Sequence, residues 1–329
     1  MATFTSTSTT TKTANSATVA VGEQQPLFDI SLDSMGITQQ GLTQQEIVQI
    51  TLSGPALLLT ILGIILSINL LQPSHTCTFI ALAPIPWFIY NDYRNFLSLG
   101  PGGTPATFRG YMRITYLRLF ALADPYTAPK ATANTKPVTG FYAQSDLKIP
   151  HRTGPRPKVA GIAPQRQVSQ YGSRAMYLLL RTSLENLAFK HSDKLQTGTS
   201  CFEKKGLALF ALNIQNDTCR GEICHVHHTD HSMHLNLHPD DAKIVLEQGW
   251  GERHPLADGA GKWVPRWVSE RLAPKVVPQQ FLMIYAPRDR AELEVITHII
   301  EAAAYWVSGE QFTLPIQNVP VVAKETTAA

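Results

Sequence analysis

Histidine is the residue type whose placement carries most of the chemical signal. Seven of the eleven histidines fall between positions 225 and 254. In the stretch ICHVHHTDHSMHLNLH they alternate with apolar residues at the period of an extended strand. That alternation puts His225 and His227 on one face of a first strand. It puts His234, Asn236 and His238 on one face of a second, opposite Met233, Leu235 and Leu237. A turn through His228-Thr229-Asp230-His231 would bring the polar faces together and converge His225, His227, His234 and Asn236. Imidazole titrates near neutrality, so such a cluster suits proton abstraction from an acidic phenol or enol. His-x-His on a strand also suits a metal ion, for which His225, His227 and His234 are the candidate ligands. Spacing alone does not separate acid–base use from metal ligation, and the alternative to both is a hydrogen-bonded structural cluster or partial exposure with no role.

The loop GWGERHPLADGAGKW adds Trp250, Glu252, Arg253 and His254, with glycines that widen the backbone's choices. Farther on, YAPRD places Tyr285, Arg288 and Asp289 at a strand-to-helix junction, where Asp289 suits a helix cap and Arg288 a carboxylate. No Gly-rich phosphate loop, GxSxG elbow or dinucleotide fingerprint occurs, which argues against nucleotide-triphosphate, serine-hydrolase and Rossmann chemistry. A net charge of +3 with scattered basic residues gives no nucleic-acid footprint.

The elements that must position these residues read as α+β. Helices are predicted over 107–123, 173–190 with Ser173 as N-cap, 239–248 and 288–307, the last with Leu293, Ile296, Ile299 and Ile300 on one side. Strands are predicted as two short runs within 200–212, as the pair 222–227 and 232–237, and at 281–286. Strand pairs interleaved with helices predict an antiparallel sheet with helices packed on one face. Residues 124–170, rich in Pro, Gly and Thr, predict an extended segment draped over the domain.

The N-terminal part differs in kind. Residues 1–46 form a Ser/Thr-rich tail expected to be disordered. Positions 47–91 hold no Asp, Glu, Lys or Arg. Within them Ile50–Leu71 predicts a transmembrane segment, followed by a shorter apolar run, Thr76–Tyr90. Boundaries follow at 92–171 for a helix and the Pro-rich segment, 172–308 for the catalytic domain and 309–329 for a C-terminal tail. Arg94, Arg109, Arg113 and Arg118 follow the apolar region, so the positive-inside rule predicts a membrane protein whose large domain faces the cytosol, in the endoplasmic reticulum or another endomembrane. The four cysteines show no CxxC pair and read as reduced thiols in that compartment. The sequon Asn216-Asp217-Thr218 would then stay unmodified.

Five blocks resemble the fungal luciferase domain family in order along the chain: NDYRNFLSLGPGGTPATFRGY, LKIPHRTGPRPKVAGIAPQRQ, HVH…HL, GWGERHPLA and YAPRD. They extend over residues 90–307. The resemblance implies an enzyme that adds O₂ to a hydroxypyrone or phenolic secondary metabolite of polyketide type, without flavin, haem or an established metal. Molecular oxygen is then the co-substrate. On that reading His225 or His227 is the base, His234 holds substrate or oxygen, and Arg253 and His254 stabilise the oxyanion. Asn236, Trp250, Glu252, Tyr285 and Arg288 are the expected substrate contacts. A non-redox cyclase, isomerase or hydrolase, and a metal-dependent variant using the same histidines, are the alternatives.

Overall fold

In the computed structural model, residues 54–71, 82–132, 134–257 and 264–316 are described. The N-terminal tail and most of the C-terminal tail lie outside them. The first described element is α1, Gly54–Leu71, with no charged side chain. Eighteen residues at the helical rise span about 27 Å, against about 30 Å of bilayer hydrocarbon. Among the described residues no helix is long and apolar enough to cross a membrane, so the predicted crossing is not supported.

Of the second apolar run, positions 76–81 lie outside the described residues and the rest leads into a helix. It opens α2, Pro84–Ser98, with Pro at the first helical turn, where a missing N–H costs nothing. The helix continues past residue 91 and buries Phe96 against Tyr111, Ile114 and Leu117 of α3, Phe108–Leu117. Thr107 caps α3 by accepting from the Gly110 N–H at 3.2 Å. Asp92 of α2 and Arg118 beyond α3 form an ion pair that ties these two helices together.

A short hairpin of β1, Val159–Gly161, and β2, Gln165–Gln167, follows the Pro-rich stretch. Next come α4, Arg174–Lys190, capped by Ser173 as predicted, and the strands β3, Leu195–Thr199, and β4, Leu207–Ala211. The 200–212 run is therefore one strand and not two. Its partner is the polar, mostly exposed LQTGT, an edge strand with no apolar alternation to reveal it. After β5, Glu222–Val226, and β6, Met233–Asn236, come α5, Pro239–Glu247, and β7, Gly251–Arg253. The last described elements are α6, Arg266–Leu272, β8, Phe281–Ile284, and α7, Arg290–Ser308. Asp289 caps α7 by accepting from the Glu292 N–H at 2.9 Å.

The main sheet has six antiparallel strands in the order β3-β4-β5-β6-β8-β7. Registers such as Cys224↔Leu235 and Leu235↔Leu282 align Leu209, Cys224, Leu235 and Leu282 on one face. Helices α4 and α7 cover it with Leu180, Leu184 and Leu187, and with Leu293, Ile296, Ile299 and Ile300, forming the main core. The opposite face carries the histidines: His225 pairs with His234, and His234 with Met283. The extended segment around β1 and β2 lies over it, burying Gln165, Arg166 and Gln167. Segment 101–104 also closes on this face. A Cβ on Gly103 would come within 2.5 Å of the Phe202 carbonyl oxygen, and one on Gly102 within 2.6 Å of Pro164, so both positions need glycine.

Cys201 and Cys219 form a disulfide, which corrects the expectation of reduced thiols; Cys224 is free and buried. A separation of 18 residues carries no recognisable motif, so only the folding of 200–206 against the turn before β5 brings the pair together. Asn216 Nδ2 donates to the carbonyls of Lys136 and Trp306 at 2.6 and 2.7 Å, which engages the sequon's amide inside the fold.

Candidate active site

The β5–β6 hairpin turns through His228–His231, closed by His227 N–H to Ser232 C=O at 2.8 Å. His231 adopts φ +62°, in the left-handed region, and its Nδ1 lies 2.6 Å from the Gly172 carbonyl. The hairpin sets the imidazoles of His225, His227 and His234 side by side with ring centroids 4.6–5.3 Å apart. All three are buried.

Two acids absent from the sequence-based candidates join them. Glu203, from the turn before β4, places Oε2 3.1 Å from His227 Nε2 and 3.4 Å from His225 Nε2. Arg166 of β2 pairs with the other carboxylate oxygen. Glu222 reaches His225 Nδ1 at 2.6 Å. Simple alternation would put Glu222 on the helix-covered face. The register shift between β4 and β5, where Leu209 pairs with Cys224 and Phe210 with Glu222, moves it to the histidine face.

Hydrogen bonding assigns each imidazole's tautomer. The Ser232 hydroxyl donates to Asp230 Oδ2 at 2.7 Å, so its oxygen must accept from His227 Nδ1 at 2.8 Å. The Glu222 carboxylate accepts from His225 Nδ1. Gln165 Nε2 donates to Glu252 Oε1 at 2.9 Å, which turns its carbonyl oxygen towards His234 Nε2, also at 2.9 Å. In their neutral forms the rings therefore carry their protons on Nδ1 of His225 and His227 and on Nε2 of His234. Lone pairs remain on His225 Nε2, His227 Nε2 and His234 Nδ1, and these nitrogens face one another: His234 Nδ1 lies 2.9 Å from His227 Nε2 and 3.3 Å from His225 Nε2. The same three residues form a group able to ligate a metal.

Charge is distributed unevenly. Burial works against charge on His225, but the carboxylates of Glu203 and Glu222 outweigh it and push the pKa up to about 9. His234 is held well below the usual imidazole range by burial and by its neighbours' charges. Burial, helped by His225 and His227, lowers His254 to about 3 despite its hydrogen bond to the Ile162 backbone. Burial alone would raise Glu203, yet His227, His225 and Arg166 hold it well below the carboxylate range. Glu252 is pushed up to about 7 by burial.

A cavity of about 350 Å³ opens onto this cluster, lined by His225, His234, His254, Glu203, Phe202 and Phe281 among others. Phe281 stacks on His234 at 5.0 Å and 14°. Of the sequence-based candidates, His225, His234 and His254 line the cavity and His227 sits behind them.

The remaining candidates do other work. Asn236 Nδ2 reaches the Glu222 carbonyl at 3.5 Å. Trp250 is buried in the main core with Nε1 on the Pro150 carbonyl at 2.6 Å. Arg253 falls on the opposite face from Glu252 and donates to the carbonyls of Thr127 and Gln279, so it stabilises no oxyanion at this cluster. Tyr285 donates to Glu252 at 3.3 Å, and Arg288 pairs with Glu292. Glu252 and Tyr285 thus support the cluster through Gln165 instead of meeting a ligand in the cavity. Positions 258–263 of the Trp250 loop lie outside the described residues.

The chain is similar to known proteins over most of its length. The Luciferase domain model matches residues 220–303, which hold the hairpin, β7, β8 and most of α7. A luciferase of Armillaria mellea is 32% identical over 259 residues, covering 71% of this chain and 88% of that protein. A luciferase of Neonothopanus nambi is 31% identical over 260 residues, covering 74% and 90%. The chain belongs to the fungal luciferase family. No solved structure matches. The family match includes His225, His227, His234 and Glu222, but Glu203, Gln165 and Arg166 lie upstream of its domain model. Gln165 and Arg166 fall in the block LKIPHRTGPRPKVAGIAPQRQ, and Glu203 falls in none of the five.

Proposed function

We propose that this member of the luciferase family is an oxygenase that takes a small hydroxypyrone or phenol into the cavity above His225 and His234. The observation that supports this reading is the convergence of three imidazole lone pairs and one carboxylate at the floor of a ligand-sized cavity with aromatic walls. A cation held among these groups, a proton in the barest case, stabilises the ligand's deprotonated form. An electron-rich anion of that kind can pass an electron to O₂, and Phe202 and Phe281 exclude water from it. The pair lies 4.6 Å apart and offers a flat ligand an apolar edge.

The test is oxygen uptake by the purified full chain with a panel of hydroxypyrones and catecholic polyketides. Uptake in step with substrate loss, abolished by His234→Gln, is the expected result. Substrate turnover that proceeds under strict anaerobiosis would replace the oxygenase with a cyclase, isomerase or hydrolase.

We further propose that the protein is membrane-bound through α1, whose Leu59, Leu62, Leu66 and Leu70 are exposed on an uncharged helix. Trp87 and Tyr90, also exposed, suit the interface beside it. The arginine bias places the domain in the cytosol, whereas the Cys201–Cys219 disulfide favours an oxidising lumen. Maleimide labelling in sealed microsomes reads both the side and the redox state of the pair.

A further inference from the structure

Four acceptor atoms meeting in a buried space require a cation. We propose that the chain binds one divalent first-row transition metal through His225 Nε2, His227 Nε2, His234 Nδ1 and Glu203 Oε2. The inference concerns the same cavity floor but stands whatever reaction occurs there.

Tautomer assignment carries the first half of the case. Each outward N–H of the three imidazoles is already committed, to Glu222, to Ser232 and through it Asp230, and to Gln165 and through it Glu252. Metal-bound histidines make this outer set of contacts, which orients the ring and strengthens the ligand nitrogen. The nitrogens left over face each other with lone pairs, so the 2.9 Å approach of His227 Nε2 to His234 Nδ1 has no proton to bridge it in the neutral state. Glu203 Oε2 is buried and makes no hydrogen bond of acceptable geometry, although two imidazole nitrogens lie within 3.4 Å. Atoms that approach closely yet do not point at one another share a common target between them.

Distance carries the second half. Four of the six separations among these atoms are 2.9, 3.1, 3.3 and 3.4 Å. These four run round the atoms as a ring, and whether that ring is puckered towards a tetrahedron or flat its centre lies about 1.8–2.4 Å from each atom, a span that includes Zn–N and Zn–O bond lengths. Three imidazoles with one carboxylate and no thiolate suit zinc, copper, iron, nickel, cobalt or manganese over calcium or magnesium. His225, His234 and Glu203 also line the cavity, so a ligand there could reach the ion. His254 is excluded from the set although it lies beside His234. Its Nδ1 accepts from the Leu256 N–H at 3.1 Å and its other nitrogen is used by the Ile162 backbone.

The probe is cobalt(II). Tag-free full chain is stripped with chelator and titrated, with binding read by visible ligand-field absorption and by bound metal per chain. The expected result is one equivalent bound with the intense bands of a low-coordinate site. Glu203→Gln should weaken affinity about tenfold or more. The triple variant His225→Gln/His227→Gln/His234→Gln should bind none, and His254→Gln should bind as wild type. A folded wild-type chain that takes up no cobalt overturns the proposal and leaves a proton as the shared cation. Equal binding by the triple variant overturns it too. Should the triple variant not fold, wild type and Glu203→Gln decide between them. Metal-loaded protein that consumes no O₂ with any panel substrate would sink the oxygenase and leave the metal site. Oxygen uptake by a wild-type chain that takes up no cobalt would sink the metal site and leave the oxygenase.

Discussion

Arg166→Met is the substitution whose outcome most directly tests how charge is balanced at the site. Arg166 is 4% exposed and Glu203 is 8% exposed, and the two form an ion pair. The same guanidinium donates to the Pro101 carbonyl at 2.7 Å and to the Gln165 carbonyl at 3.1 Å. Removing one partner of a buried pair leaves the other charge uncompensated, at a cost of about 3–5 kcal/mol. Here the neighbouring imidazoles can take up a proton and relieve part of it, which favours the lower end, about 3 kcal/mol. For a domain of this size that corresponds to a fall in Tm of about 6–12 °C. Neutralising the acid as well, in Arg166→Met/Glu203→Gln, removes the stranded charge and should recover roughly 1–2 kcal/mol relative to the single variant. The assay is urea denaturation of the chelator-treated chain at pH 7.5, run on wild type, both single variants and the double variant. A single variant within about 0.5 kcal/mol of wild type would refute the reasoning, because surface substitutions cost no more. So would a double variant whose loss equals the sum of the singles, since independent sites add.

The pKa of Glu252, pushed up to about 7 from an ordinary 4.5, makes a signed prediction. Its protonated form is favoured by folding, so this contribution is complete below about pH 4.5 and is lost as pH rises through about 7, by roughly 3 kcal/mol at most. Denaturation from pH 5 to 8 should therefore show a falling stability that flattens in Glu252→Gln; a variant slope as steep as wild type would assign the effect to other groups. The disulfide closes a loop between Cys201 and Cys219, 18 residues apart, and loop-closure entropy gives it about 3 kcal/mol. Cys201→Ala/Cys219→Ala should lose about that much, and unchanged denaturation midpoints with and without reductant would show that the bridge holds nothing together.

How much of this was legible beforehand depends on where each signal resides. Helices α4 and α7 show their apolar faces and caps, Ser173 and Asp289, in local sequence, and the histidine hairpin shows its alternation. The edge strand β3 and the short β7 show neither. LQTGT is polar, and Gly251–Arg253 is held in the sheet by pairing with β8 rather than by any strand pattern of its own. The apolar run before residue 91 misleads for a related reason. Its second half forms an amphipathic helix whose buried residue, Phe96, lies just beyond the uncharged stretch. Cys201 and Cys219 look unrelated until the turn around Glu203 folds back on the start of β5.

The site divides in the same way, and the division explains which residues do the chemistry. Alternation within one hairpin is a local rule, so it finds His225, His227 and His234. It says nothing about what faces them across the sheet. Glu203 sits in Glu203-Lys204-Lys205-Gly206, which reads as the charged tip of a surface turn, and the disulfide, the Ser200–Glu222 hydrogen bond at 2.9 Å and the ion pair with Arg166 turn it inward. Gln165 comes from 69 residues upstream of His234. Yet these distant residues decide the state of the local ones: Gln165 sets which nitrogen of His234 carries the proton, and Glu203 supplies a negative charge beside His225 and His227. Arg253, by contrast, sits next to Glu252 in sequence and on the other face in space, because neighbours along a strand point apart. A hairpin of histidines is thus only half of a site. The other half is a Pro-rich segment and a cystine-bound turn, both brought to the sheet face opposite α4 and α7.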